Sequence, residues 1–320
     1  MKPTFSAIGC GTWAWGNRLL WGYEPGMDGE LQRVFQTCLN QEVTFFDTGD
    51  SYGTGRLQGR SESLLGQFAQ VSPSPPSLCL ATKLAAYPWR LTPGLVVQAG
   101  QASAQRLGRP IDLVQLHWST GNYAPWQEPI LWEGLARLVE QGTAKAIGLS
   151  NFGPKRLLKA HQFFSDRGLP IASLQVQYSL LSTYPVTELD LKAVCESLGI
   201  QLIAYSPLAL GLLTGKFSAQ GPFPPGLRGV LCRQLLPNIQ PLLNTLEAIA
   251  QSRQKTMGQV ALNWCIAKGT MPIPGAKTVQ QAQENIGATG WLLDAGEVAE
   301  LDRIAQQLPK KMVQNIFQSR

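Results

Sequence analysis

Asp47, Tyr52, Lys83 and His117 each follow a short apolar run, immediately or within a few positions. Taken singly, each has an ordinary structural explanation: Asp47 as a turn cap, Tyr52 as an amphipathic wall residue, Lys83 as a surface cation, His117 as a satisfied core histidine. Together they supply a carboxylate, a phenol, an ammonium and an imidazole, a set able to protonate a carbonyl as it is reduced. Hydride addition leaves an alkoxide, so a proton donor must stand where the oxyanion develops. Tyr52 is the candidate donor. A free phenol titrates near about 10, and a nearby ammonium lowers that value by stabilising phenolate. Lys83 would provide the charge, and Asp47 would hold Lys83 as an ion pair so that the buried amine keeps its proton. His117 would donate to the carbonyl oxygen and fix its angle to the hydride donor.

Such a set needs elements that deliver it to one place. Short runs rich in β-branched residues recur at 6–10, 44–46, 78–82, 113–116, 146–149, 174–176, 201–204 and 271–273. Between them lie stretches of helical periodicity at 29–41, 60–69, 95–107, 130–141, 154–167, 187–198 and 239–268, and two more follow the last strand at 279–286 and 295–307. Alternation of this kind marks βα units on a parallel sheet. Eight evenly spread units predict an α/β fold, a (β/α)8 TIM barrel spanning 1–320 as a single domain, in preference to an open doubly wound sheet. Active sites of such barrels form at the C-terminal ends of the strands. There the second strand delivers Asp47 and Tyr52, the third Lys83, the fourth His117, the fifth Ser150 and Asn151, the sixth Gln175 and Gln177, and the seventh Tyr205 and Ser206. Residues 87–93 and the Gly- and Pro-rich stretch 215–237 break the rhythm and read either as functional lids or as disordered surface insertions.

Hydrophobic residues make up 44% and charged residues 15% of the 320, enough for a large core. The longest apolar stretch, 202–213, is interrupted by Ser206 and Pro207 and is too short to span lipid. No secretory leader is evident at the start. The six cysteines fall singly, with no C-x-x-C spacing, and with only His117 and His161 in the chain no histidine-rich metal site is available. Buried free thiols imply a reducing compartment, taken as the cytoplasm. The net charge of +6 is dispersed, with no basic run, which favours a small anionic ligand over nucleic acid.

The segment Phe46-Asp47-Thr48-Gly49-Asp50-Ser51-Tyr52-Gly53 closely resembles the signature of the aldo-keto reductases. Ala81-Thr82-Lys83, residues 113–117 ending at His117, and residues 146–152, 175–178, 204–208 and 273–277 with Glu284 and Asn285 extend the resemblance over almost the whole chain. The resemblance implies that Tyr52 is the general acid/base, with Asp47, Lys83 and His117 completing its tetrad. It implies an NADPH cofactor, with NADH as the alternative. Ser150, Asn151 and Gln175 would grip the nicotinamide carboxamide, and Tyr205 would be the plate on which the ring stacks. Ser206, Leu208 and Lys216 would face the pyrophosphate, and Gly275, Lys277, Gln281, Glu284 and Asn285 the adenosine end. One departure stands out: many members carry Arg where Gln281 stands, and Gln cannot make the same bidentate contact to a 2′-phosphate. Lys277 would compensate. Some relatives with the same tetrad regulate channels, so a cofactor-binding redox sensor with little turnover is the alternative function.

Two glycine patterns are decoys. Gly9-Cys10-Gly11 lacks its third glycine, Ala14 standing there, and Gly211 to Lys216 has the wrong spacing and no hydroxyl after the lysine. Among the nine tryptophans, Trp21, Trp89 and Trp118 are expected to line a pocket for a small hydrophobic or planar carbonyl substrate. Trp132, Trp264 and Trp291 are expected to be packing residues. Helix pattern alone leaves the oligomeric state open.

Overall fold

The computed structural model describes residues 3, 5–72, 75–224, 226–309 and 311–319. Eight parallel strands pair in chain order: β1 Cys10–Gly11, β2 Phe45–Asp47, β3 Cys79–Leu84, β4 Leu113–Leu116, β5 Ile147–Ser150, β6 Ile171–Gln177, β7 Gln201–Tyr205 and β8 Met271–Ile273. The seam between first and last strand is joined by Gly9 N–H donating to Pro272 O at 2.9 Å and Gly11 N–H to Pro274 O at 3.0 Å. A Cβ on Gly11 would lie 2.8 Å from the Ile273 carbonyl oxygen, so the seam closes only because this residue has no side chain.

Side chains alternate across each strand, which sorts the core into two layers. Phe46, Leu80, Val114, Leu174 and Ala204 face the surrounding helices, whereas Phe45, Ala81, Leu113, Ile203 and Met271 fill the barrel interior. One step further toward the C-terminal end, the inward positions turn polar: Phe45 is followed by Asp47, Ala81 by Lys83, Leu113 by Gln115, Ser173 by Gln175 and Ile203 by Tyr205. An apolar plug thus sits beneath a polar floor.

Two expected helices differ in extent. The stretch 187–198 is helical only over Leu191–Ser197, and Asp190, in the left-handed region at φ 51°, separates it from a preceding short helix, Tyr184–Thr187. The stretch 239–268 holds Gln240–Arg253 and Met257–Ala267. Gln254, at φ 53°, ends the first, and Thr256 caps the second in a reciprocal capping box with Gln259. The 215–237 stretch carries the helix Leu227–Leu235 and a following turn, anchored by buried Leu235 and Leu236, so an unstructured insertion does not describe it.

Candidate active site

Asp47 ends β2, and its carboxylate is fully engaged. Oδ2 is ion-paired with Lys83 Nζ, while Oδ1 accepts from Gln115 Nε2 at 3.0 Å and Gln175 Nε2 at 2.8 Å. Lys83 points inward from β3 and is 1% exposed. An ammonium has three protons, and Lys83 places all three: on Asp47, on the Thr48 carbonyl at 2.9 Å and on Tyr52 Oη at 3.1 Å. Because Tyr52 Oη accepts from Lys83, its own O–H is left to donate elsewhere. Gly53, at φ 115°, permits the tight return after Tyr52, since a Cβ there would lie 1.8 Å from Leu57 O.

Burial opposes charge on Lys83, but the Asp47 carboxylate and Tyr52 outweigh it, and the amine stays protonated with its pKa above the ordinary lysine value. Tyr52 departs from the expectation of a lowered pKa. Desolvation is its largest influence and raises it, Lys83 pulls it down, and Asp47 raises it again, leaving it above the ordinary phenol value. The phenol is therefore a retained proton, suited to giving one away at neutral pH, with Lys83 limiting the cost of doing so.

His117 follows β4. Ser51 Oγ lies 3.4 Å from its Nδ1, and its ring meets Tyr52 edge to face at 5.8 Å. Burial, then the charges of Lys83 and Arg90, drive its pKa well below the ordinary 6.5, so it is a neutral imidazole near neutrality. A histidine held neutral in the fold takes up protons less readily than the unfolded chain does. Its contribution to stability is thus intact above the unfolded value and diminishes as pH falls below about 6.5 toward the depressed folded value. His117→Gln is expected to flatten that part of the stability profile, measured as urea midpoint against pH.

Ser150 ends β5 and Asn151 follows it. Asn151 takes φ 60° and donates from Nδ2 to His117 O and Ser150 Oγ, both at 3.1 Å, while Oδ1 accepts from Tyr205 Oη at 2.9 Å. Gln175 is brought to the same floor with its Nε2 on Asp47. Past β7 the chain enters the left-handed region at Ser206, Ala209 and Leu210 before Gly211. Leu208 lies within that turn and Lys216 lies exposed beyond it. After β8, Lys277 N–H donates to Gln281 Oε1 at 2.8 Å, Lys277 Nζ to Trp21 O at 3.0 Å, and Asn285 Nδ2 to Gly275 O at 3.3 Å. Glu284 is half-buried on the same helix, Val279–Ile286.

Three groups at this end were not singled out in the sequence. Gln115 completes the Asp47 cage, and a glutamine inside the apolar run of β4 was its visible signal. Asp50 and Arg90 form a buried ion pair at 2.6 Å that ties the 87–93 loop to the turn bearing Tyr52. Arg228, on the helix Leu227–Leu235, lies over the Trp21 ring at 4.4 Å and donates to Leu210 O at 2.9 Å, and its buried Nε has no partner. Its charge and that of Lys216, after desolvation, hold the Lys277 pKa below the ordinary lysine value, as expected where cations gather.

The tryptophans divide by surroundings. Trp118 stacks on Phe317 at 4.5 Å and 18°, beside His117, and Trp89 stacks on Tyr87 at 4.4 Å. Trp21 contacts Trp13, Arg228 and Lys277, which places it with the cationic group. Trp132 and Trp264 are buried, and Trp291 is half-buried with its indole N–H on Gly287 O. Among the described residues no group of His, Cys, Asp and Glu is arranged to hold a metal ion, and no helix is long and apolar enough to cross a membrane.

A phenol bonded to a buried ion pair stands at the mouth of a (β/α)8 barrel, an arrangement that could serve an oxidoreductase. The chain belongs to the aldo/keto reductase family, whose family model matches residues 7–306. It is 52% identical over 320 residues to the chloroplastic pyridoxal reductase of Arabidopsis thaliana, covering 98% of this chain and 87% of that protein. The NADP(+) aldo-keto reductase yakc of Schizosaccharomyces pombe is 29% identical over 297 residues, covering 87% and 83%. Among solved structures, a thermostable aldo-keto reductase in complex with the inhibitor epalrestat matches with a TM-score of 0.74 at 27% identity, covering 94% of this chain and 95% of that one. The glycerol dehydrogenase of Gluconobacter oxydans shares the fold with a TM-score of 0.81 at 24% identity, covering 98% and 96%.

Proposed function

We propose that this protein reduces a planar aromatic aldehyde to the alcohol with NADPH, Tyr52 giving the proton. The observation that carries the reading is the order of hydrogen bonds at Tyr52: its oxygen receives Lys83, so its own proton is the one available to a substrate oxygen. NADPH supplies the hydride when bound. His117, neutral and half-buried beside Tyr52, would donate a second hydrogen bond to the same oxygen and fix its direction.

The residues fit the cofactor. Ser150, Asn151 and the Oε1 of Gln175 would hold the carboxamide, and Tyr205 would back the ring. Ser206, Leu208 and Lys216 would border the pyrophosphate, and Gly275, Lys277, Gln281, Glu284 and Asn285 the adenosine. The partnerless Nε of Arg228, which with Lys216 acts on Lys277, supports a phosphate-rich ligand, and Arg228 would supply the guanidinium missing at Gln281. Arg228→Ala is expected to raise the KM for NADPH by about tenfold with less effect on NADH, read by steady-state titration of both cofactors. Equal losses for the two would assign Arg228 to phosphates that both share.

The aldehyde class rests on two lines of support. Trp118, stacked on Phe317, lies against His117, and the relative with 52% identity is named a pyridoxal reductase. Pyridoxal is a flat pyridine aldehyde, and aromatic rings beside His117 suit a planar ring of that kind. The deciding assay is NADPH oxidation with pyridoxal against aliphatic aldehydes of similar size. A preference for the aliphatic compounds would overturn the aromatic reading, and tight NADPH retention without turnover on any aldehyde would favour the redox-sensing alternative. All six cysteines are buried and free, which supports a reducing compartment such as the cytoplasm.

A further inference from the structure

Residues 311–319 run back over the C-terminal ends of β4 to β7. Met312 N–H donates to Leu181 O at 2.9 Å, and Val313 O accepts from Gln177 Nε2 at 3.2 Å. Gln314 Oε1 accepts from Ser182 Oγ at 2.8 Å. Further on, Phe317 stacks on Trp118, Ser319 N–H donates to Asn151 O at 3.0 Å, and Ser319 Oγ accepts from Gly153 N–H at 2.8 Å. Val313 and Ile316, 80% and 82% exposed, face outward between these anchors.

Asn315 is the anchor with a chemical direction. Its Oδ1 accepts from Phe317 N–H at 2.9 Å, which fixes the amide so that Nδ2 donates to Tyr205 Oη at 2.6 Å. Tyr205 Oη then has its proton for Asn151 Oδ1, and Asn151 Nδ2 donates onward to the His117 carbonyl. Every orientation along this relay follows from the one before. The relay runs from the tail, through the ring and amide assigned above to the nicotinamide, to the backbone of the histidine assigned to the carbonyl.

We propose that Asn315 is a positioning residue for the nicotinamide side of the site, holding the Tyr205 ring and the Asn151 amide in place, so that seating of the 311–319 tail and binding of NADPH strengthen each other. The coupling is reciprocal by thermodynamic necessity. The inference rests on the assignment of Tyr205 and Asn151 to the nicotinamide, and it adds a role for a segment that no signature motif covers.

The test uses the full chain. NADPH binding is read from quenching of the intrinsic tryptophan fluorescence, and tail seating from hydrogen exchange at residues 312–319. Asn315→Leu keeps the bulk and removes the donor. It is expected to raise the Kd for NADPH about tenfold, because binding must then order Tyr205 and Asn151 without the help of the seated tail. NADPH should slow tail exchange in the parent and do so much less in N315L. Tyr205→Phe should speed tail exchange, and the double variant Y205F/N315L should bind NADPH no worse than Y205F alone, because the bond is already gone. A merely structural role would lower stability without this non-additivity. If N315L does not fold, the tail exchange of Y205F with and without NADPH decides. Unchanged NADPH affinity in N315L, additive losses in the double variant, or a tail indifferent to NADPH would each overturn the proposal while leaving the role of Tyr52 standing. Failure of the Tyr52 prediction with the tail results intact would do the reverse. Failure to bind either NADPH or NADH would overturn both.

Discussion

Tyr52→Phe is expected to reduce carbonyl turnover by roughly 10³-fold or more, within the range a positioned proton donor supplies, while the Kd for NADPH stays within about twofold of the parent. The asymmetry follows from the geometry. Removing the hydroxyl takes away the proton proposed for the substrate, yet Lys83 keeps its bonds to Asp47 and the Thr48 carbonyl, so the floor of the site retains its shape. Stopped-flow mixing with NADPH and pyridoxal separates the two quantities. Turnover near the parent rate would show that the proton comes from somewhere else.

Lys83→Met should be costly in a second way. The Asp47 carboxylate would be left 2% exposed with only the amides of Gln115 and Gln175 to offset its charge. Breaking a buried pair on one side typically costs about 3–5 kcal/mol, which would appear as a fall in the urea midpoint together with loss of activity. Adding Asp47→Leu to Lys83→Met should restore much of the stability and none of the activity. A Lys83→Met protein as stable as the parent would mean that the pair contributes nothing net to the fold.

The barrel was legible because its strands are short, apolar and evenly spaced, and because the second to seventh carry polar residues at or just past their C-terminal ends. Strand limits moved by a few positions: residues 6–10 shrink to Cys10–Gly11, since only the seam at Gly11 has paired neighbours on both sides. The division of 239–268 was visible in Thr256-Met257-Gly258-Gln259, a capping box that outranks continuous periodicity. The Tyr52 pKa could not be had from composition. Its direction depends on whether burial or the ammonium prevails, and that balance is set by depth in the barrel. Arg228 and Asn315 were equally out of reach, because neither sits at a strand end; one arrives from an inserted helix and the other from the end of the chain.

The turn after β7 carries Ser206, Ala209 and Leu210 in a left-handed backbone, each at a cost of order 1 kcal/mol. That energy is spent when the polypeptide folds, before any ligand arrives. A dinucleotide lying along this bend would meet a surface already in its final shape, and its affinity would owe nothing to loop ordering there. Stiffness acquired during folding would then serve recognition, and variants relaxing the bend to glycine would trade tighter holding for a more pliable groove.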